Sequence, residues 1–352
     1  MRRSSYSIAF ALMVLPALSF PAAAWDRGRV GTFAVLPDGS SGPEGLEVDS
    51  AGNAYVTTFG FTASGSASGP GQLFVFDEEG RLVRQVSVAG SSTHLLGLRF
   101  HPITGALLVI DFGGGKVLDV DPHTGASVVF MTLPALPHPK LGAGLNDVTF
   151  DKAGNVYVSD SFQGIVWKTG RHGGVATVWV DDPLLRTSGV PPFGANGLRF
   201  NNNETALFVA NTGNDTIVKV PVESEGTAGT PAVFANSIGG ADGLLIDDDD
   251  NLWVAANQDD EIVVVDPTGR AIAKLGDFDG VSSKGEPIHM LFPASLRFSG
   301  QDLLVTNLSL DLRLFSPTFA TIDSEWCARV SRYTVVKIRA RIPRLPGSPD
   351  DD

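Results

Sequence analysis

The sequence predicts an all-β chain, a six-bladed β-propeller of four-stranded antiparallel blades closed by an N-terminal strand. Three observations carry this expectation. A pattern of turn residue, alternating strand, Asp/Asn/Ser turn and second β-rich strand recurs six times, its second residue falling at positions 44, 96, 146, 196, 242 and 294. The steps of 52, 50, 50, 46 and 52 residues suit a unit of several short strands, the mark of a propeller blade. Period-two alternation, with 40 glycines and 22 prolines, excludes a helical fold.

The copies read PEGLEVDSAGNAYVTT from Pro43, LLGLRFHPITGALLVID from Leu95, LNDVTFDKAGNVYVSDS from Leu145, ANGLRFNNNETALFVANT from Ala195, ADGLLIDDDDNLWVAAN from Ala241 and PASLRFSGQDLLVTNL from Pro293. Two further strands follow each pair, as in GQLFVFD and RLVRQVSV around the turn Glu78-Glu79-Gly80, or EIVVVD and AIAKLGDF around Pro267-Thr268-Gly269. The sixth copy lacks a clear fourth strand, and GRVGTFAVLP near the N-terminus lacks a partner. Pairing Gly31 to Leu36 with the segment around Arg332 to Ile338 closes the ring and removes two free sheet edges.

The ends differ in character from this body. Arg2 and Arg3, the apolar run Ile8 to Phe20 and Ala22-Ala23-Ala24 read as a signal peptide over residues 1–24, with export to the periplasm or extracellular space. An uncleaved anchor is the alternative, but the run is shorter than the roughly 20 residues a spanning helix needs. Cleavage leaves 328 residues and takes the formal charge from −13 to −15. Such acidity argues against nucleic acid or an anionic membrane as partner, and the expected partner is a small molecule. Residues 25–343 are expected to form one propeller, a monomer without a membrane-spanning segment, and 344–352 a disordered acidic tail. The single cysteine, Cys327, permits no intramolecular disulfide and reads as a buried apolar residue.

Stacking the copies places Glu44, Leu96, Asn146, Asn196, Asp242 and Ala294 at one position on the innermost strands, which surround the axis. Four of these carry oxygen donors. Two carboxylates and two carboxamides form a hard, all-oxygen set of charge −2, suited to calcium or another divalent cation. The bland alternative is that Asn and Asp merely suit the turn entering a strand. Glu44 is a poor turn residue in the same register, and burying several acceptors together without a cation is costly.

Propeller topology sorts the histidines. His94, His138 and His289 fall in connections on the metal face, where His94 and His289 are candidates to meet substrate, although exposed loop histidines need no such role. His101, His123 and His172 fall on the opposite face. The ends of the second strands supply Thr58, Asp111, Asp160, Asn211 and Asn307 at the same mouth, expected to orient ligands or water. No EF-hand, P-loop or Gly-x-Ser-x-Gly elbow is present, which argues against nucleophilic serine chemistry.

With these residues in view, the chain resembles the senescence marker protein, gluconolactonase and luciferin-regenerating enzyme family of calcium-dependent propellers, most specifically in the order Glu44, Asn146, Asn196, Asp242. The resemblance implies that these four bind a catalytic divalent metal and that the activity is hydrolysis of a lactone or related ester. Asp242 and Asn146 are then the catalytic candidates, Asp242 as the group that activates water or attacks directly. Sugar-lactone members often carry Arg two positions before the first Asn, where Gly144 stands here. GLEVDSAGNAYVT and DVTFDKAGNVYVSDS also resemble NHL-repeat propellers, so a non-catalytic binding propeller with structural calcium is the competing expectation, with a strictosidine-synthase-like or lyase propeller third.

Overall fold

The computed structural model describes residues 27–62 and 65–342. The signal peptide expected over residues 1–24 and the tail expected over 344–352 lie outside the described residues. Within them the chain is all-β with little helix: a single α-helical turn, Ser324–Cys327, and a few short 3-10 turns. No described helix is long and apolar enough to cross a membrane.

The first unit is an antiparallel meander of Pro43–Val48, Ala54–Thr58, Gln72–Phe76 and Leu82–Ser87. The second runs Leu95–Phe100, Leu107–Asp111, Lys116–Val120 and Ser127–Thr132, and the third Leu145–Phe150, Val156–Asp160, Ile165–Gly170 and Gly173–Asp181. Parallel pairing of Met131 with Gly174 and of Thr132 with Val175 joins these two into one eight-stranded sheet. The fourth comprises Ala195–Phe200, Ala206–Asn211, Thr216–Pro221 and Ala232–Asn236, and the fifth Ala241–Ile246, Leu252–Ala256, Glu261–Val265 and Ala271–Leu275. The last is built from Pro293–Ser299, Asp302–Asn307 and Thr334–Arg339, with Gly31–Val35 from the N-terminus as its outer strand. That strand pairs antiparallel, Gly31 opposite Lys337 and Val35 opposite Thr334, the pairing the sequence predicts. The first strand of every unit packs against the first strand of the next, and Pro293–Ser299 returns to pack on Pro43–Val48. The arrangement is propeller-like.

Local chemistry sets the turns between first and second strands. In the first, third and fifth units an Asp accepts from a backbone N–H four residues on and from the Asn side chain at that position. A ring two residues further donates to the same carboxylate: Tyr55 to Asp49 at 3.0 Å, Tyr157 to Asp151 at 3.1 Å and Trp253 to Asp247 at 2.9 Å. These side chains satisfy the turn's backbone donors in place of a ladder. The second strands are buried except for half-buried Asp302 in the last unit, while residues of the outer strand Leu82–Ser87 are exposed or half-buried, so the core lies between and inside the sheets.

Every first strand is bulged at the same place. The register shifts between Pro43 and Leu46, Leu95 and Leu98, Leu145 and Val148, Ala195 and Leu198, Ala241 and Leu244, and Pro293 and Leu296. A bulge re-aims the side chains it carries, and here it carries the stacked column read from the sequence. Glycine follows the column residue where the next unit comes close. A Cβ at Gly197 would collide with the carbonyl oxygen of Asp242, and one at Gly243 with that of Ala294.

Candidate metal centre

Glu44, Asn146, Asn196 and Asp242 line one small cavity, together with Leu96. All four are buried, at 4 to 5% exposure. The amides are turned by their own units: Asn146 Nδ2 donates to Ser161 Oγ at 3.3 Å and Asn196 Nδ2 to Thr212 Oγ1 at 2.9 Å. With its nitrogen engaged, Asn146 has its amide oxygen left as the free end. Asp242 Oδ2 accepts from Asn257 Nδ2 at 3.0 Å. Glu44 Oε2 and Asn146 Oδ1 are buried without a hydrogen-bond partner. Orphaned buried acceptors of this kind are rare and call for an explanation.

The carboxyls respond to this setting. Burial raises the Asp242 pKa to about 8; the Asn257 hydrogen bond opposes the rise, Asp147 adds to it, and Asn196 opposes it. Glu44 is raised well above the usual range, first by burial, then by Asp242 and Asp147. Two such groups side by side are costly unless a positive charge neutralises them. The donor set fits a hard divalent cation: orphaned oxygens, no sulfur and no imidazole. Glu44, Asn146, Asn196 and Asp242 are the residues that would hold it.

Three residues further along the same strands lies a second layer that sequence reasoning missed. Arg99 and Arg297 flank Glu47 at 3.4 and 3.3 Å, and Arg199 pairs with Asp147 at 2.7 Å. Burial lowers Arg199 to about 10 and Arg99 well below its usual value. Asp147 is held below the ordinary carboxylate range: burial would raise it, but Arg199, Arg297 and Arg99 outweigh burial. These are buried or half-buried, mutually paired charges on the same inner strands. For Glu47, Arg99, Arg199 and Arg297 the offset of three from the column was the signal that could have found them, while Asp147 stands one residue after Asn146.

The strand-end residues hold loops. Asp111 accepts from Ser92 Oγ at 2.5 Å and Gly114 N at 3.0 Å. Asp160 accepts from Gly144 N at 2.8 Å and Trp167 Nε1 at 3.0 Å. Asn211 Nδ2 donates to the carbonyls of Leu184 and Arg186, and Asn307 bridges Leu291 N, His289 O and Thr334. The side chains that hydrogen-bond the column belong to the next residue in each case, Ser161, Thr212 and Asn257. Adjacent residues on an extended chain face opposite ways, so the informative register lay one position on.

None of the candidate histidines lines the cavity. His94 stacks on Phe61 with ring centroids 4.5 Å apart, its Nδ1 at 2.6 Å from Phe59 O and its Nε2 at 3.0 Å from Ser66 Oγ. His138 Nε2 lies 2.9 Å from Asp181 Oδ2 and 2.7 Å from Arg186 Nη2. His289 sits on the hairpin of Phe278–Val281 and Pro287–His289, its Nδ1 3.1 Å from Asp277 and 3.3 Å from Asp279.

Residues 115–276 match the family model of the SMP-30/Gluconolactonase/LRE-like region. Among curated proteins, lactonase drp35 of Staphylococcus haemolyticus is 28% identical over 174 residues, 46% of this chain and 50% of that protein. Lactonase drp35 of Staphylococcus epidermidis is 30% identical over 142 residues, 37% of this chain and 41% of that protein. The chain thus spans half or less of the length of the curated relatives it matches. Among solved structures, a luciferin-regenerating enzyme superposes with a TM-score of 0.62 at 16% identity, covering 89% of this chain and 95% of its own. A gluconolactonase from Xanthomonas campestris gives 0.60 at 14%, covering 89% of each chain. The calcium-binding protein regucalcin from Agrobacterium tumefaciens gives 0.58 at 16%, covering 89% of this chain and 97% of its own. At these identities the superpositions establish the propeller-like fold alone. Residues 115–276 are thus similar to the region shared by SMP-30, gluconolactonase and the luciferin-regenerating enzyme.

Proposed function

We propose that this protein is an exported, monomeric six-bladed propeller that binds calcium on its axis through Glu44, Asn146, Asn196 and Asp242 and hydrolyses a lactone or related ester. The observation that carries the reading is one buried cavity lined by all four, with Glu44 Oε2 and Asn146 Oδ1 unpartnered. The lactonase relatives support the reaction type, and the calcium-binding neighbour supports the choice of ion.

What the cation supplies when bound is Lewis-acid polarisation of the acyl oxygen. The chain's own groups do the rest. Ser161 and Thr212 fix the two amides, and Asn257 holds one oxygen of Asp242, leaving the other to accept a proton from water. The water oxygen bonds to the acyl carbon, the ring C–O bond breaks, and the proton on Asp242 passes to the departing alkoxide. The product is the hydroxy acid.

A second reading has one observation in its favour: the four residues are only 4 to 5% exposed, as a structural calcium site in a binding propeller requires. Asp242→Asn separates the two. It keeps an oxygen donor and the volume but removes the base, so turnover of a lactone panel falls by roughly 10²-fold or more, with calcium content measured beside the rate. Full activity in the calcium-loaded variant would remove Asp242 from the mechanism. No turnover by the calcium-loaded wild type would favour the binding propeller.

A further inference from the structure

Resting on the hydrolase reading above, the geometry points to a substrate class: a lactone or ester whose non-reacting part is an unhydroxylated alkyl or aryl group. The residue that follows the second strand of each unit is, in order, Phe59, Phe112, Ser161, Thr212, Asn257 and Leu308. The ring these positions describe has two halves. In the third, fourth and fifth units the residue is polar and hydrogen-bonds its own unit's column residue. In the sixth, first and second units it is apolar, and the column residues there are Ala294, Glu44 and Leu96. The cavity's apolar wall comes from Phe59, Leu96, Phe292 and Leu308 and also, from the connection before the fourth unit, from Pro191 and Phe193.

A chain of phenylalanine rings in unbroken contact adjoins the cavity, and two of its members, Phe59 and Phe193, line it. Phe59 meets Phe112 at 5.4 Å between centroids, Phe112 meets Phe162 at 5.6 Å, Phe162 stacks on Phe193 at 5.8 Å, Phe193 meets Phe315 at 5.8 Å, and Phe315 returns to Phe59 at 6.1 Å. Gly144 gives Phe162 its place: a Cβ there would stand 2.7 Å from Phe162 Cγ. No lysine or arginine is among the residues lining the cavity. A polyhydroxylated ring would bury more hydroxyls against this mostly apolar wall than its few free acceptors, such as Asn257 Oδ1, can pair, which a site of this kind rejects. An alkyl or aryl group finds apolar surface there, while the reacting carbonyl lies toward the polar half.

Binding to hydrolysis-inert lactams tests this independently of turnover. Calcium-loaded wild type is titrated with a six-membered lactam bearing an alkyl chain and with its polyhydroxylated counterpart. The alkyl lactam is expected to bind at least about tenfold more tightly. Phe112→Ser and Phe315→Ser, at two half-buried members of that chain of rings, should shrink that ratio, and Phe112→Leu should restore it while thermal melting confirms folding. Equal affinity, or preference for the hydroxylated lactam, overturns the inference. Matched lactones are assayed in parallel. Preference for the alkyl lactam without turnover of either lactone supports the apolar site and sinks the hydrolase reading, so the two failures are distinct.

Discussion

Thr212 offers a sharp perturbation because its hydroxyl holds the amide of Asn196, one of the proposed ligands. Thr212 is 1% and Asn196 4% exposed, and the hydroxyl accepts the amide proton at 2.9 Å. Thr212→Val keeps the shape and removes the acceptor. The stranded Nδ2 costs about 1–3 kcal/mol in a buried setting, and the amide becomes free to turn a donor toward the cation. Loss of a partner that orients a metal ligand lowers affinity by roughly 10- to 100-fold, equivalent to about 1.4–2.7 kcal/mol. Calorimetric titration of chelator-stripped protein with calcium chloride reads this directly, and Thr212→Ser, which keeps the oxygen, should bind within a few-fold of wild type. If Thr212→Val melts earlier yet binds calcium as tightly as wild type, Asn196 is not a ligand held by Thr212.

Two further outcomes concern the fold. Burial raises Asp260 to a pKa of about 8, with the nearby Asp323 adding to it, while its carboxylate accepts from Phe292 N at 2.7 Å. A raised acid contributes stability that is full below its unfolded pKa and is lost as pH rises through the folded one. Asp260→Asn should therefore raise the melting temperature above pH 8, by an amount on the order of 2 kcal/mol or ~5 °C, and give no gain at pH 4; equal melting at both pH values contradicts the assignment. Deleting residues 25–37 removes Val30, Phe33, Ala34 and Leu36, all buried, together with the outer strand of the last unit. At about 1.5–3 kcal/mol for each large side chain the loss should destabilise the whole domain, and an unchanged melting temperature would show that the N-terminal strand is dispensable.

Much of this was legible in the sequence because a propeller unit repeats its physical problem. Each copy must bury two alternating strands and turn sharply between them, so Asp49, Asp151 and Asp247 announce themselves with their Asn and aromatic partners. The column Glu44, Asn146, Asn196 and Asp242 was readable for the same reason, since one register fixes one direction toward the axis. Less visible was what faces the column. Ser161, Thr212 and Asn257 stand one residue beyond the strand ends, and a shift of one inverts the face, so Asp160 and Asn211 drew attention while serving the loops. The chain of phenylalanine rings was hidden more deeply, because Phe193 and Phe315 lie in connections of unequal length that no repeat register aligns. Arg99, Arg199 and Arg297 were in register throughout, but a buried arginine layer has no signature until its partners Glu47 and Asp147 are seen beside it.

The central claim is that calcium held by the four column residues is needed for hydrolysis. Turnover of a lactone panel by wild-type protein, measured after removal of calcium by a chelator and again after its return, with bound calcium determined at each stage, tests this most directly. Activity that disappears with the ion and returns at about one calcium per chain is the expected result. Undiminished hydrolysis by protein shown to be free of divalent metal would contradict it.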